Sequence, residues 1–348
     1  MSIQLISISK HRTFLMGIAI VSILLFHYGA IFGYYDAPHN IISLFLFKGI
    51  GAIGVDIFAL LSGIGVYYSL NRNSIGIFLK HRISRILPSY IIIGGLYWLI
   101  TDLFILRESI FVFIYDYSLI SFWHNGENRF WYVAFALLTY FVSPIIYRFI
   151  LAEKVSNNTL DKKSLTRVFV SLGGVVLLIV FGIIFIYFVF NSVYMNTEIA
   201  LKRLPVFLVG MFIGKCIKMN VGVHKRTLIL LGSASVIFFA IVKLTSFELI
   251  DRFELSLLGI SICILISSLL KKKNVFYCVI EYIGSISFEL YLSHIALIGI
   301  CIHIGINLPN PFWYLLIIVI SFVISASLKQ LYSLKSIIHN NYDNGSDK

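Results

Sequence analysis

The amino-acid sequence predicts an all-α integral membrane protein, on the evidence of its composition and its apolar runs. Hydrophobic residues make up 59% of the 348 positions, and charged residues only 13%. A typical soluble domain is about half apolar and about a quarter charged. With a mean hydropathy of +0.93, this chain has too little charge to cover a water-facing surface. Apolar runs of about twenty residues, each long enough to cross a bilayer, recur along the chain and predict about ten transmembrane helices.

Each predicted transmembrane helix corresponds to one apolar run. The predicted spans are residues 13–32, 49–70, 86–106, 130–150, 168–190, 204–219, 227–246, 253–270, 282–305 and 312–334. Two shorter apolar stretches, 41–47 and 110–123, are expected to lie at the membrane interface or to re-enter the bilayer. The first span follows basic residues, as in a signal peptide, but it is too long for one and no small-residue cleavage site follows. We therefore predict a retained first helix, and a disordered polar tail over 339–348.

The positions of the basic residues predict which side of the membrane each loop faces. The net charge is +12, and the 28 lysines and arginines lie mostly in short clusters between the apolar runs. If the N-terminus is cytoplasmic, about three quarters of them fall on the cytoplasmic side, as the positive-inside rule requires. This alternation needs an even number of helices, so both termini are expected in the cytoplasm. Charges distributed in this way form no basic face, and we expect no nucleic-acid partner.

The cysteines and the glycine-rich segments predict neither a metal site nor a nucleotide cofactor. Cys216, Cys263, Cys278 and Cys301 are far apart, lack C-x-x-C spacing and lie in or beside apolar segments. Such cysteines ordinarily act as small hydrophobic residues, so we predict no disulfide and no metal ligand. Neither G-x-x-x-x-G-K-S/T nor G-x-G-x-x-G occurs, which argues against an ATP- or NAD-type site. We expect no bound cofactor.

Among the ionisable residues within the predicted helices, His27, Asp56, Glu289 and His294 are the candidates for chemistry. Such residues are costly in a bilayer and usually face a cavity or a partner. A rise of about 1.5 Å per residue places His27, Asp56 and His294 at similar depth in the outer part of the membrane. We predict that these three converge on one polar cavity, with Asp56 paired with a histidine. Glu289 points elsewhere, about 140° around the helix from His294. A purely structural contact between helices is the alternative for each residue.

Six segments carry a family resemblance. In chain order they are GIAIVSILLFH (17–27), GVDIFALLSG (54–63), FLKHRISRILPSY (78–90), WYVAFALLTYFVSP (131–144), RLPVFLVGMFIGK (203–215) and ISFELYLSH (286–294). Together they resemble the membrane acyltransferase-3 family, whose members O-acylate bacterial surface sugars and related acceptors. The fourth segment resembles the branch of polysaccharide O-acetyltransferases.

The resemblance implies a membrane acyltransferase domain over residues 1–338. Its donor substrate would be cytosolic acetyl-CoA or another acyl-CoA. Its acceptor would be a hydroxyl of a surface polysaccharide or of the lipid-linked precursor, and its location the bacterial cytoplasmic membrane. The family's first helix ends in a signature histidine that matches His27, and imidazole is suited to general-base chemistry. Asp56 and His294 are expected to be its catalytic companions.

A donor site is implied by the R-x-x-R-x-x-P pattern, whose arginines are Arg82 and Arg85. Guanidinium groups bind phosphate oxygens in pairs, so these arginines are expected to hold the phosphates of coenzyme A. The family usually has a basic residue ten positions before the first-helix histidine, and here that position is Met16. Arg12, one turn earlier on the same helix face, is expected to replace it. Glu289 is assigned to the same donor passage.

The acceptor is expected to meet the outer end of the fourth helix. Trp131 and Tyr132 lie there; their rings can stack on sugars, although aromatic residues also anchor helices at the interface. Arg203 is assigned to an anionic or pyrophosphate-linked part of the acceptor. The alternative function is that of a polysaccharide flippase, a polymerase or a small-molecule transporter, which would place the same histidines and carboxylates along a substrate or proton path. The chain shows no inverted repeat of broken helices, which favours the acyltransferase.

Overall fold

The structure is a computed structural model that describes residues 2–31, 51–152, 162–245, 252–270, 274–306, 308 and 311–345. Its helices are α1 (Ile6–Lys10), α2 (Arg12–Ile31), α3 (Ile53–Arg72), α4 (Ile75–Trp98), α5 (Ile110–Tyr117), α6 (Ile120–Asn125), α7 (Trp131–Ile146), α8 (Lys162–Val189), α9 (Asn191–Leu201), α10 (Leu204–Lys218), α11 (Lys225–Thr245), α12 (Phe253–Leu269), α13 (Val275–Ser285), α14 (Ser287–His303) and α15 (Pro311–Gly345). Two π-helical segments, Leu99–Ile105 and Tyr147–Leu151, extend α4 and α7. A short antiparallel pair of strands, β1 (Ser2–Gln4) and β2 (Gly222–His224), joins the N-terminus to the segment before α11.

Each predicted span corresponds to one or two helices of the structure, although α4 begins at Ile75, eleven residues before the predicted start of the third span. Seven helical stretches are long and apolar enough to cross a membrane, and α13 with α14, bent by 66°, would make an eighth. The other two predicted spans correspond to α10 and α12, of 15 and 17 residues. The segment 110–123 forms α5 and most of α6, while 41–47 lies outside the described residues. The prediction of an all-α polytopic membrane protein is confirmed.

The end of the chain differs from the prediction in one respect. Helix α15 continues to Gly345, so the described part of segment 339–348 has a helical backbone where its polar composition predicted disorder. No glycine or proline interrupts the helix between its first residue and Gly345, and the helix therefore meets no local stop signal.

The packing of α3 against α10 depends on two glycines. Gly63 of α3 and Gly210 of α10 lie so close to the opposite helix that a Cβ atom at either would overlap a backbone carbonyl oxygen. The hydrophobic effect does not drive helices together in a bilayer, so small residues that allow close approach take over this role. Helix α3, which also contacts α2 and α12, is thereby held in the middle of the bundle.

The bend between α13 and α14 determines how α14 meets α2. Gly284, at the end of α13, lies against the carbonyl group of Thr13 in α2, where no side chain would fit. Helix α13 therefore packs on the first part of α2. Helix α14 begins at Ser287 beyond the bend and contacts the later part of α2, where His294 meets His27. The single predicted span 282–305 thus combines the end of α13 with all of α14.

The shortest predicted span, α10, provides a direct test of the helix count. If α10 crosses the membrane in the predicted orientation, Asn191 faces outside and Lys218 faces the cytoplasm. In a variant without the four native cysteines, an impermeant maleimide added to intact cells should label Asn191→Cys but not Lys218→Cys. Permeabilised cells should show labelling of both. Labelling of both cysteines in intact cells would mean that α10 does not cross and that the ten-helix model is wrong.

Candidate active site

Two histidines from different helices form a hydrogen-bonded pair inside the bundle. Nδ1 of His27 lies 3.0 Å from Nε2 of His294, and the ring centres are 5.0 Å apart. Nδ1 of His294 lies 2.8 Å from the carbonyl oxygen of Leu290. His294 is fully buried, and His27 is half-buried. The predicted proximity of these two residues is confirmed.

The hydrogen-bond partners determine which nitrogen of each histidine carries a proton. A carbonyl oxygen only accepts, so Nδ1 of His294 donates to Leu290. In a neutral imidazole the other nitrogen is an acceptor, and Nε2 of His294 therefore accepts from Nδ1 of His27. The same rule leaves Nε2 of His27 with a free lone pair. This nitrogen is the one able to take a proton from a substrate hydroxyl.

A narrow cavity between α2, α3, α4, α7 and α14 ends one helical turn short of the two histidines. We call it the central cavity; its volume is about 80 Å³. Along α2 its lining extends from Arg12 to Ile23, a rise of about 16 Å. Ile23 lies one turn before His27, and the last lining residue of α14, Tyr291, lies nearly one turn before His294. The cavity therefore leads from a group of basic residues toward the histidine pair.

Three arginines separate the central cavity from a larger one. Arg12, Arg82 and Arg85 line both, and the second cavity, here called the basic cavity, has a volume of about 540 Å³. Arg72 and His81 complete the basic part of its lining. Within the described part of the chain, Arg12, Arg82 and Arg85 form no ion pair with a carboxylate. This unneutralised positive charge is suited to a ligand with several phosphate groups.

Local contacts hold Arg12 and Arg82 at this position. Arg82 donates a hydrogen bond to the carbonyl oxygen of Gly65, and its guanidinium carbon lies 5.9 Å from the ring centre of Tyr140. Arg12 also lies against Gly65, and its Nε is buried without a hydrogen-bond partner. Met16 lines the central cavity one turn after Arg12. Both residues therefore face the same space, as the replacement of a basic residue at position 16 by Arg12 requires.

The chain matches a known protein family over most of its length. A family model described as an acyltransferase domain matches residues 14–329. The chain belongs to the membrane acyltransferase-3 family. It is an acyltransferase, and both histidines of the pair as well as Arg82 and Arg85 lie within the match. No curated protein and no solved structure shows a significant match.

Asp56 of this acyltransferase is not part of the histidine pair. Its buried carboxylate accepts a hydrogen bond of 2.6 Å from Ser256 and lies 3.8 Å from Nε of Arg203. Val55 lines the central cavity, and Asp56, about 100° further around α3, faces α10 and α12 instead. The predicted pairing of Asp56 with a histidine is wrong, because the depth estimate gave its height in the membrane but not the direction in which it points. The catalytic role expected for Asp56 therefore loses its geometric support.

Glu289 lies outside the central cavity, as its angular separation from His294 predicted. It accepts a hydrogen bond of 2.8 Å from Ser89 and lines a third cavity of about 310 Å³, together with Arg85 and Lys329. We call this the lateral cavity. It shares only Arg85 with the basic cavity. The role of Glu289 in donor binding stays a prediction. Arg85 is the residue between Glu289 and a donor bound in the basic cavity.

The three residues assigned to the acceptor have different surroundings. Trp131 is 8% exposed, and the guanidinium carbon of Arg203, itself 2% exposed, lies 5.0 Å from the ring of Trp131. Arg203 also donates to the carbonyl oxygen of Ile199 at 2.7 Å. Tyr132 instead lines the central cavity, and its ring centre is 5.8 Å from that of Tyr291. Their roles in acceptor binding stay predictions, and only Tyr132 faces the passage.

Tyr291 is a residue of the site that the sequence did not identify. It lines the end of the central cavity, and its ring centre lies 6.0 Å from that of His294. Its hydroxyl is buried, and no described residue is its hydrogen-bond partner. The spacing of Ser287, Tyr291 and His294, four and then three residues, places them on one face of a helix. That pattern was the available signal, but in an apolar helix it is also the ordinary pattern of packing residues.

The shared position of Arg12 and Met16 leads to a test of donor binding. Arg12→Gln should raise the Kd for acetyl-CoA about tenfold or more, because it removes charge-assisted hydrogen bonds to phosphate. Adding Met16→Arg to that variant should restore much of the affinity. Isothermal titration calorimetry on the purified protein measures both. Arg148→Gln is the matched control, because Arg148 is exposed and lines none of the three cavities.

Two results would contradict this assignment. If Arg12→Gln and Arg148→Gln bind acetyl-CoA equally well, Arg12 does not contact the donor. If Arg12→Gln binds poorly and Met16→Arg restores nothing, the two positions are not equivalent.

Proposed function

We propose that this acyltransferase moves an acetyl group from cytosolic acetyl-CoA to a hydroxyl of a surface polysaccharide or of its lipid-linked precursor. Its location would be the bacterial cytoplasmic membrane, with both termini in the cytoplasm. One observation carries the proposal: the central cavity leads from three arginines, which form no ion pair with a described carboxylate, toward a histidine with a free basic nitrogen. The first element suits a phosphate-rich donor, and the second suits the activation of a hydroxyl.

Coenzyme A has a charged end and an uncharged end, and so does the passage formed by the basic cavity and the central cavity. The nucleotide end carries the phosphates and would bind Arg12, Arg82 and Arg85 from the basic cavity. The thioester end lies on a long uncharged arm. Apolar residues such as Phe58 and Ile86 line much of the central cavity, which is narrow and suits such an arm rather than the charged nucleotide. The acyl group would then arrive beside the histidines.

The histidine pair supplies the proton chemistry of the transfer. Nε2 of His27 takes the proton of the acceptor hydroxyl while the hydroxyl oxygen bonds to the thioester carbon. The carbon–sulfur bond then breaks, and the leaving thiolate of coenzyme A takes the proton from His27. When His27 is protonated, Nε2 of His294 still accepts from its Nδ1. His294 thus orients the imidazole and stabilises its charged form, as the third member of a hydrolase triad does.

The positions along α2 support transfer across the membrane. Arg12 and His27 are separated by a rise of about 22 Å, most of a bilayer core about 30 Å thick. With the N-terminus in the cytoplasm, the donor phosphates would bind near the inner surface and the acceptor would react near the outer one. Membership of an acyltransferase family favours this function over a flippase, a polymerase or a transporter.

The two histidines should respond differently to substitution. His27→Ala should lower the rate of acetyl transfer by about 100-fold or more, because it removes the general base. His294→Phe should also lower the rate, since a phenyl ring cannot accept from Nδ1 of His27. His294→Gln, whose amide oxygen can accept, should retain more activity than His294→Phe. Thiol release from acetyl-CoA by the purified protein and the O-acetyl content of the cell-surface polysaccharide measure these effects.

His303→Ala is the matched control, because His303 ends the same helix in an exposed position. Full activity of His27→Ala, with the protein correctly inserted, would contradict the mechanism. Equal activities of His294→Phe and the unsubstituted protein would show that the pair has no role in orienting His27.

A further inference from the structure

Arg129 lies in the turn that precedes α7. Its backbone N–H donates to Oε1 of Glu127 at 3.1 Å, and its guanidinium carbon lies 5.8 Å from the ring centre of Tyr97. Tyr97 itself packs against α14 at Gly299, where a Cβ atom would collide with the ring. Tyr132, three residues after Arg129, has its ring centre 5.8 Å from that of Tyr291, which in turn lies 6.0 Å from that of His294. The turn that carries Arg129 is therefore in the same region as the histidine pair.

Two hydrogen-bond donors in this region have no acceptor among the residues that the structure describes. Nε of Arg129 is buried without a partner, and so is the hydroxyl of Tyr291. Within the described part of the chain, Arg129 forms no ion pair with a carboxylate. A buried hydrogen-bond donor without an acceptor is costly. A substrate that brings an acceptor oxygen with negative charge would satisfy both groups.

The proposed acyl transfer creates such an oxygen. When the acceptor hydroxyl bonds to the thioester carbon, the electron pair of the carbonyl double bond moves to oxygen and His27 takes the proton. We propose that the guanidinium of Arg129, with the hydroxyl of Tyr291, binds this oxyanion. The carbonyl then re-forms as the thiolate leaves and takes the proton from His27. This assignment rests on the proposed function and adds to it the group that stabilises the transition state.

Arg129 has a second candidate ligand, a phosphate of a lipid-linked acceptor. An experiment with an uncharged acceptor distinguishes binding of this phosphate from binding of the oxyanion. Water and methyl glucoside carry no negative charge, so neither offers Arg129 an anion in the ground state. The reaction of either with acetyl-CoA still passes through the oxyanion. A loss of rate with these acceptors therefore reports on the transition state and not on binding of an acceptor phosphate.

The experiment measures thiol release from acetyl-CoA by the purified full-length protein, with methyl glucoside and with water as acceptors. Arg129→Gln should lower kcat by about 100-fold, a typical effect of removing an oxyanion donor. The KM for acetyl-CoA should stay unchanged. Arg129→Lys, which keeps the charge, should recover part of the loss, and Tyr291→Phe should show a smaller loss. Arg107→Gln is the matched control, because Arg107 is an exposed arginine in the loop before α5.

Three results would overturn the assignment: an unchanged kcat in Arg129→Gln, a loss seen only with a phosphate-bearing acceptor, or equal losses in Arg129→Gln and Arg107→Gln.

Calorimetric binding of acetyl-CoA shows whether each variant is folded. If Arg129→Gln does not fold, Arg129→Lys replaces it in the comparison. A folded Arg129→Lys whose kcat lies between those of the unsubstituted protein and His27→Ala supports the assignment, whereas an unsubstituted kcat contradicts it. An unsubstituted protein that releases no more thiol than His27→Ala would contradict the proposed function itself, whatever the behaviour of Arg129.

Discussion

The hydrogen-bond chain from the carbonyl group of Leu290 through His294 to His27 is the constraint on which the site depends. It determines both tautomers and leaves one basic nitrogen free. A hydrolase triad uses a carboxylate to accept from Nδ1 of the catalytic histidine. Inside a bilayer, an ionised carboxylate is costly unless a cation neutralises it. A second neutral imidazole makes the same hydrogen bond without a permanent charge, whereas the buried carboxylate of Asp56 is placed next to Arg203.

The periodicity of α2 connects this pair to the arginines proposed to bind the donor. At about 100° per residue, Arg12, Met16, Ile23 and His27 lie within about 60° of one another around the helix axis. One face of a single helix therefore carries the arginine at one end of the passage and the base at the other. Helix α14 supplies the opposite wall with Tyr291, and α3 supplies another because its glycines allow close packing. In the proposed reaction, the length of α2 would set the distance that the acyl group travels.

The sequence predicted the positions of most helices and the proximity of His27 and His294, but not the direction in which Asp56 points. Helical rise brought His27 and His294 to one region, and helical angle separated Glu289 from His294; both expectations agree with the structure. The depth of Asp56 did not identify its partner. Which face of α3 meets each neighbouring helix depends on how the helices pack at their glycines, and depth does not contain that information. The bend between α13 and α14 was also missed, since no proline marks it. Unsatisfied donors such as Nε of Arg129 are defined only by what lies around them, and a single sequence does not contain that information.

The position of the donor within the protein tests the account most directly. A cryo-electron microscopy structure with a non-hydrolysable acetyl-CoA analogue should show phosphates in contact with Arg12, Arg82 and Arg85. The uncharged arm should extend along the central cavity, and the acyl carbon should lie close enough for Nε2 of His27 to reach an attacking hydroxyl, about 3 Å away, directly or through one water. An analogue whose acyl group lies in the lateral cavity, or whose arm leaves the central cavity empty, would contradict the account.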